Sequence, residues 1–216
     1  MQFRWQWALM GLFTLCLVWP PSSYGDQLPG PDSTPSPQAP IVQGLRLGSS
    51  RADVETLFAA ASIPQIARTA EMIVYQQPVS KAGAGDFAYS TALLFHKDKL
   101  AKVALFPDIS EADASEPDAQ PYFSYYGALK SMLIKQYGPP RNTWEHLHKR
   151  YRDHPLLGLQ MGRCTYANFW SLQDLDIALV LTGENFSIQF SLQYEYRTVF
   201  QRYVKQHENP TSPQSD

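Results

Sequence analysis

The sequence predicts an α+β fold in which a mostly antiparallel sheet is covered on one face by helices. Two groups of short, aromatic-rich strand candidates each follow a segment with helical spacing, and this grouping is typical of α+β domains. Short polar turns separate the strands within a group, as expected for antiparallel neighbours. Hydrophobic residues make up 44% of the 216-residue chain and aromatic residues 13%, so a sizeable core is expected.

The first half begins with a predicted helix that starts near Ser50. Ser50 and Asp53 resemble a capping box, in which the first side chain accepts a backbone N–H and an acid follows three residues later. Apolar residues then recur at helical spacing until Pro64 ends the segment. Strand candidates follow at residues 72–77, 88–96 and 100–106, and the polar tip Lys97-Asp98-Lys99 joins the last two.

The second half repeats this order. Its helix is predicted over residues 121–137, where one stripe is formed by Tyr122, Tyr126, Leu129, Leu133 and Tyr137. Gly138 is expected to end the helix, because a glycine commonly adopts the left-handed conformation there and two prolines follow. A last amphipathic helix follows three strand candidates, which lie at residues 164–170, 175–181 and 186–194.

A matching spacing suggests that the two halves are duplicated units. Leu57 precedes Pro64 by the same number of residues as Leu133 precedes Pro140. Aromatic-rich strands follow each helix. We therefore expect two fused αβββ units in one α+β domain, with the domain at residues 41–207 and its halves at 41–107 and 121–207.

The first 25 residues have the features of a secretory signal peptide. Arg4 is positively charged, an apolar run covers residues 7–19, and small residues precede a cut between Gly25 and Asp26. The run is shorter than the roughly 20 residues of a membrane-spanning helix, so cleavage is favoured over retention as an anchor. The sequence therefore predicts a periplasmic or secreted protein that keeps no stable transmembrane segment after processing.

The predicted mature chain has a nearly balanced charge and one cysteine. Its 17 basic and 20 acidic residues give a net charge of −3, which offers no electrostatic reason to bind nucleic acid. Cys164 has no partner for an intrachain disulfide and is expected to be buried as a small apolar residue. Residues 26–40 contain five prolines and are expected to form a disordered linker, and residues 208–216 a disordered tail.

The densest group of chemically active side chains lies between residues 144 and 154. On a strand, His146 and His148 point to the same side, and such pairs ligate zinc in proteins. His154 adds a third ligand only through a turn. The segment is therefore interpreted either as a solvated strand or loop, or as a zinc site.

The same stretch is locally basic, with Lys149, Arg150 and Arg152 beside the histidines. Such a cluster is interpreted either as a solvated face or as a surface for an acidic protein, an anionic lipid or a cell-wall polymer. Tyr125 is a further binding candidate, because neighbouring tyrosines line sugar or peptide grooves. Aromatic stripes on helices, however, more often pack in the core.

Two short segments resemble a known family. Residues 48–54 match the G-x-[ST]-x-x-x-V opening of the small outer-membrane lipoprotein A repeat, and residues 95–103 match its F-x(4)-L-x-x-V hairpin. That unit is similar in outline to the β-lactamase-inhibitor-protein fold. This chain differs in having Lys97-Asp98-Lys99 where a glycine is usual, and in lacking the disulfides of the secreted inhibitors. The resemblance implies binding of another protein rather than catalysis, and it carries over no binding residue.

No motif in the chain identifies a reaction. A nucleophile elbow, a phosphate-binding loop, a dinucleotide fingerprint and a zinc-protease signature are all missing from the sequence. We therefore expect an exported, non-catalytic module without a cofactor that binds a protein or a cell-envelope component. The alternative is a metal-dependent or hydrolytic envelope enzyme that uses His146, His148 and His154.

Overall fold

An eight-stranded antiparallel sheet organises the computed structural model, which describes residues 45–80, 87–108 and 120–208. The strands are β1 (Gln65–Arg68), β2 (Met72–Ser80), β3 (Phe87–His96), β4 (Lys99–Asp108), β5 (Asn142–Leu147), β6 (Cys164–Ser171), β7 (Leu175–Glu184) and β8 (Ser187–Tyr196). The helices are α1 (Arg51–Ala60), α2 (Gln120–Tyr137), α3 (Pro155–Gln160) and α4 (Arg197–Glu208), with a short 3-10 turn at Lys149–Tyr151. The predicted α+β class is confirmed. The predicted leader, its cleavage site at Gly25 and Asp26, the linker and residues 209–216 of the tail lie outside the described residues.

The strand order shows two four-stranded meanders joined at their last strands. The order across the sheet is β1-β2-β3-β4-β8-β7-β6-β5, and every neighbouring pair is antiparallel. Leu105 on β4 lies opposite Leu192 on β8 at the junction. Each half thus has a helix before four strands, where the sequence predicted three strands. The second half also has the 3-10 turn and α3 between β5 and β6, which the sequence did not predict.

The two additional strands are the outermost ones. Nearly all side chains of β1 and β5 are exposed or half-buried. These two strands bury no side chain on either face, and they lack the runs of aromatic and β-branched residues that predicted the other six. Hydrogen bonding to β2 and β6, rather than local sequence, therefore defines these edge strands.

Three helices cover one face of the sheet and enclose the main core. Val54 and Phe58 of α1, Leu133 of α2 and Leu159 of α3 are all at most 1% exposed and pack against the same strand faces. The predicted cap is present, since Ser50 Oγ accepts the Asp53 backbone N–H at 3.2 Å. Gly138 ends α2 with φ +81°, as its position after the helix predicts.

The fourth helix, α4, lies on the opposite face of the sheet. On β4, Val103 packs in the main core, so the preceding residue, Lys102, points to the other face of the sheet. There the Lys102 ammonium lies 5.1 Å from the ring centre of Phe200 on α4, and it forms a 2.6 Å ion pair with Glu195 of β8. Phe200 and Tyr203 pack against Ala101 in a second, smaller cluster.

The junction between β8 and α4 is held by Arg197. Its guanidinium donates to both carboxylate oxygens of Asp176, at 2.6 and 2.9 Å, and to the backbone carbonyls of Leu172 and Gln173. The hydrogen bond to Asp176 raises the pKa of Arg197. Because one side chain joins the β6–β7 turn to the first turn of α4, the position of α4 depends on this contact. Within the described part of the chain, no helix has the length and hydropathy of a membrane span.

Candidate functional site

Three segments converge at one end of the sheet. Leu147 at the end of β5 lies opposite Cys164 at the start of β6, and Tyr166 lies opposite Leu181 near the end of β7. The connection from β5 to β6 and the β7–β8 turn are therefore at the same end. From the exposed residues at this end, which also include Asp153, Arg163 and Glu184, we group one set of basic and apolar side chains as the α3 surface. It consists of His148, Lys149, Arg150, Arg152, His154, Leu157, Met161 and Phe186.

A local capping interaction begins the connection. His148 leaves the sheet and its Nδ1 accepts the backbone N–H of Arg150 at 3.3 Å, which starts the 3-10 turn. The His148 ring also meets the Tyr151 ring edge-on at 5.9 Å. Pro155 then occupies the first turn of α3, where a missing N–H costs no hydrogen bond. The turn therefore orients the basic residues Lys149 and Arg150 outward.

Two glycines allow α3 to lie directly on the sheet. A Cβ at Gly183 would be 1.9 Å from the carbonyl oxygen of Leu159, so only glycine fits there. A Cβ at Gly158 would be 2.4 Å from the sulfur of Cys164. The close approach buries Cys164 completely, as predicted, and burial raises the pKa of its thiol. A thiol with a raised pKa is a poor nucleophile at neutral pH.

The basic residues of the α3 surface lack acidic partners. Lys149, Arg150 and Arg152 are exposed, and none forms an ion pair with a residue that the structure describes. By contrast, Lys130 pairs with Glu145 at 2.5 Å. Charges that form no ion pair among the described residues are available to an acidic or anionic partner.

Large apolar side chains adjoin these charges. Leu157 and Met161 are 43% and 42% exposed and lie one helical turn apart. Phe186 is 69% exposed, and its backbone N–H donates to the carbonyl of Gln160 at 2.9 Å, which places it beside α3. Phe186 was predicted to begin a strand, but it lies in the β7–β8 turn. Both residues of this turn have a positive φ, +49° at Asn185 and +63° at Phe186.

The turn conformation makes Phe186 unusual. A two-residue hairpin turn with positive φ at both positions normally has glycine at its second position. A residue with a side chain in the left-handed backbone conformation costs about 1–2 kcal/mol in free energy. Phe186 is 69% exposed, so burial of its side chain offsets little of this cost. Strain of this kind is concentrated at functional positions.

The three predicted zinc ligands are not brought together. His146 is on the sheet face opposite the main core, whereas β5 ends at Leu147 and His148 caps the 3-10 turn. His154 precedes α3 without a side-chain cap. Among residues 45–80, 87–108 and 120–208, no three His, Cys, Asp or Glu side chains form a metal-ligating group. Zinc binding by these histidines stays the untested alternative, and metal analysis of the purified protein tests it.

Tyr125, the remaining predicted binding residue, lies in the core. It is 8% exposed, and its ring meets Phe190 edge-on at 5.5 Å. Burial raises the pKa of its phenol to about 12. The tyrosines of α2 therefore pack against the sheet, which is the core interpretation of this aromatic stripe and not the binding-groove interpretation.

The structure contains a buried polar cluster around Asn168 that the sequence analysis did not predict. The amide of Asn168 donates to the Tyr126 hydroxyl and, at 3.5 Å, to Glu145, and its oxygen accepts from Thr143 at 2.9 Å. Burial raises the pKa of Tyr126. These residues come from α2, β5 and β6, so only strand register brings them together. The hydrogen bonds satisfy the fully buried amide and attach edge strand β5 to α2.

The comparisons add no relative to this geometry. Comparison of the chain with protein-family models, with curated proteins and with solved structures found no match.

Proposed function

We propose that the protein is an exported, non-catalytic module that binds another protein or a component of the cell envelope through the α3 surface. The observation that carries the proposal is Phe186, a 69% exposed aromatic side chain in a left-handed turn conformation. Aromatic residues are enriched among those that dominate binding energy in interfaces. The predicted leader supports the export part of the proposal.

The composition of the α3 surface supports a partner that is both acidic and partly apolar. Leu157, Met161 and Phe186 supply apolar area. Lys149, Arg150 and Arg152, which form no ion pair with the described acids, precede Leu157 in the same connection. Charges around an apolar centre steer the encounter, while the apolar residues slow dissociation. The resemblance of residues 48–54 and 95–103 to a family of protein-binding folds supports the same conclusion.

Site-specific crosslinking in intact cells tests the proposal. A photo-crosslinking amino acid at Phe186 is expected to trap a discrete partner, whereas the same residue at Ala59, exposed on α1, traps none. A Lys149→Glu, Arg150→Glu variant is expected to lose the adduct, and Lys135→Glu on exposed α2 to keep it. The same adducts at residues 186 and 59, or none at 186, would refute the α3 surface as the binding site.

A further inference from the structure

A second basic site lies at the opposite end of the sheet. A cavity of about 300 Å³ opens between the β3–β4 hairpin and α4, and it is lined by His96, Lys97, Lys99, Val199, Arg202 and Gln206. Because β4 runs antiparallel to β8, the hairpin tip is at the other end of the sheet from the β7–β8 turn. The cavity is therefore separate from the α3 surface.

The lining side chains come from two rigid elements. On α4, Val199, Arg202 and Gln206 are three and four residues apart, so they share one helical stripe. The hairpin contributes Lys97 and Lys99 from either side of its tip. The cavity is thus formed by secondary structure whose positions the sheet and α4 determine.

The cavity carries an excess of positive charge. Lys97, Lys99 and Arg202 form no ion pair with any described residue. Among the nearby acids, Glu195 forms a 2.6 Å ion pair with Lys102. Asp98 is 64% exposed and lies 3.9 Å from Arg51, and Glu71 lies 3.2 Å from His207, a contact that is an ion pair when that imidazole is protonated. Three cations around one cavity repel each other unless an anion lies between them.

The hairpin tip holds one of these cations in a costly conformation. Lys97 and Asp98 have φ of +47° and +64°, the same type of turn as at Asn185 and Phe186. Glycine or asparagine is the usual residue there, and a lysine with positive φ costs about 1–2 kcal/mol. Lys97 therefore lies on the cavity wall in a backbone conformation that is unfavourable for a lysine.

His96 responds to the same field. It is 8% exposed and meets the Tyr203 ring edge-on at 6.1 Å. Burial is the main cause that lowers the pKa of His96, and the positive charges of Lys97, His207 and Arg202 lower it further. The Glu71 carboxylate has the opposite effect and raises this pKa. A bound anion would favour the protonated imidazole, which would then be a further cation in the wall.

We propose that this cavity binds a small phosphate-bearing anion. Arg202 has the planar fork that donates two hydrogen bonds to a phosphate, and Lys97 and Lys99 supply point charges. The Gln206 amide adds a neutral donor. The volume is at the lower limit of small-molecule sites, which run from roughly 300 to 1,000 Å³, and therefore suits a compact phosphomonoester or headgroup.

Calorimetric titration with inorganic phosphate tests the site in the protein purified from cells that express the full chain. Saturable binding is expected, and Arg202→Gln should weaken it about tenfold or more, the effect of one charge-assisted hydrogen-bonding group. Lys205→Gln is the matched control, because Lys205 is exposed on α4 outside the cavity. Circular dichroism establishes that both variants are folded. Absence of saturable binding, or equal weakening in both variants, would overturn the proposal.

Two further measurements distinguish the source of the phosphate and the role of His96. Vesicles of phosphatidylglycerol and phosphatidylcholine that bind the protein but not Arg202→Gln would assign the site to a lipid headgroup. Retained phosphate binding without vesicle binding would assign it to a soluble phosphomonoester. The NMR titration of His96 is expected to move to higher pH in saturating inorganic sulfate than in chloride of equal ionic strength, because salt alone screens Lys97 and Arg202. Sulfate has no proton to lose in this range. An unchanged His96 titration would place the anion elsewhere and contradict the proposal.

Discussion

The ion pair between Lys102 and Glu195 is expected to respond strongly to the loss of one partner. The Lys102 side chain is 2% exposed and that of Glu195 13%, and the two charges are 2.6 Å apart beneath α4. At an effective dielectric constant of about 20, their attraction is roughly 6 kcal/mol, much of which offsets the cost of removing both from water. Glu195→Gln keeps the shape but leaves the ammonium without its counter-charge.

The expected loss is about 3–5 kcal/mol in the free energy of unfolding, the range for a buried pair broken on one side. In a chain of this size that lowers the melting temperature by roughly 6–20 °C. Urea unfolding followed by tryptophan fluorescence measures it, since Trp170 is 1% exposed and reports on the core. A Lys102→Met, Glu195→Leu double variant should recover most of the loss, because it leaves no buried charge.

The matched control is Arg68→Gln. Arg68 pairs with Glu55 at 3.0 Å, but the side chains are 48% and 33% exposed, so the expected loss is at most about 1 kcal/mol. A Glu195→Gln loss no larger than that of Arg68→Gln would refute the reasoning. It would mean that solvent reaches Lys102 despite α4.

Three further outcomes are expected. Gly183→Ala should prevent native packing of α3, because the new Cβ would overlap the backbone carbonyl of Leu159. Gly127→Ala, where a Cβ meets no neighbour, should instead stabilise the protein by about 0.5–1 kcal/mol. Thermal melts compare the two variants, and equal effects on the melting temperature would contradict the close approach of α3 to the sheet. Cys164 should resist a thiol reagent until the protein unfolds, and rapid labelling of the native protein would show that its burial is wrong. Metal analysis of the purified protein should find no zinc that depends on His146 and His148, and stoichiometric zinc lost in their double alanine variant would instead support the envelope enzyme.

Local signals in the sequence were sufficient for most of the secondary structure. The cap at Ser50, the stripe and terminating glycine of α2, and the aromatic-rich apolar runs of six strands all depend on residues within one helix or one strand. Burial of Cys164 was expected because it is the one cysteine of the predicted mature chain and lies at the start of a predicted strand. The left-handed turn at Phe186 gave no such signal, because the aromatic residue is typical of a strand.

Strand pairing decided the candidate sites. His146 and His148 share a face only while the strand continues, and β5 ends between them, so the parity argument did not apply. The Asn168 cluster and the basic cavity each join residues that are far apart in sequence, such as Lys99 and Arg202. Local signals thus determined three of the four helices, six of the eight strands and much of the apolar core, whereas α3 was not predicted. Only the sheet register and the position of α4 determined which charges meet, because that depends on long-range hydrogen bonding and burial.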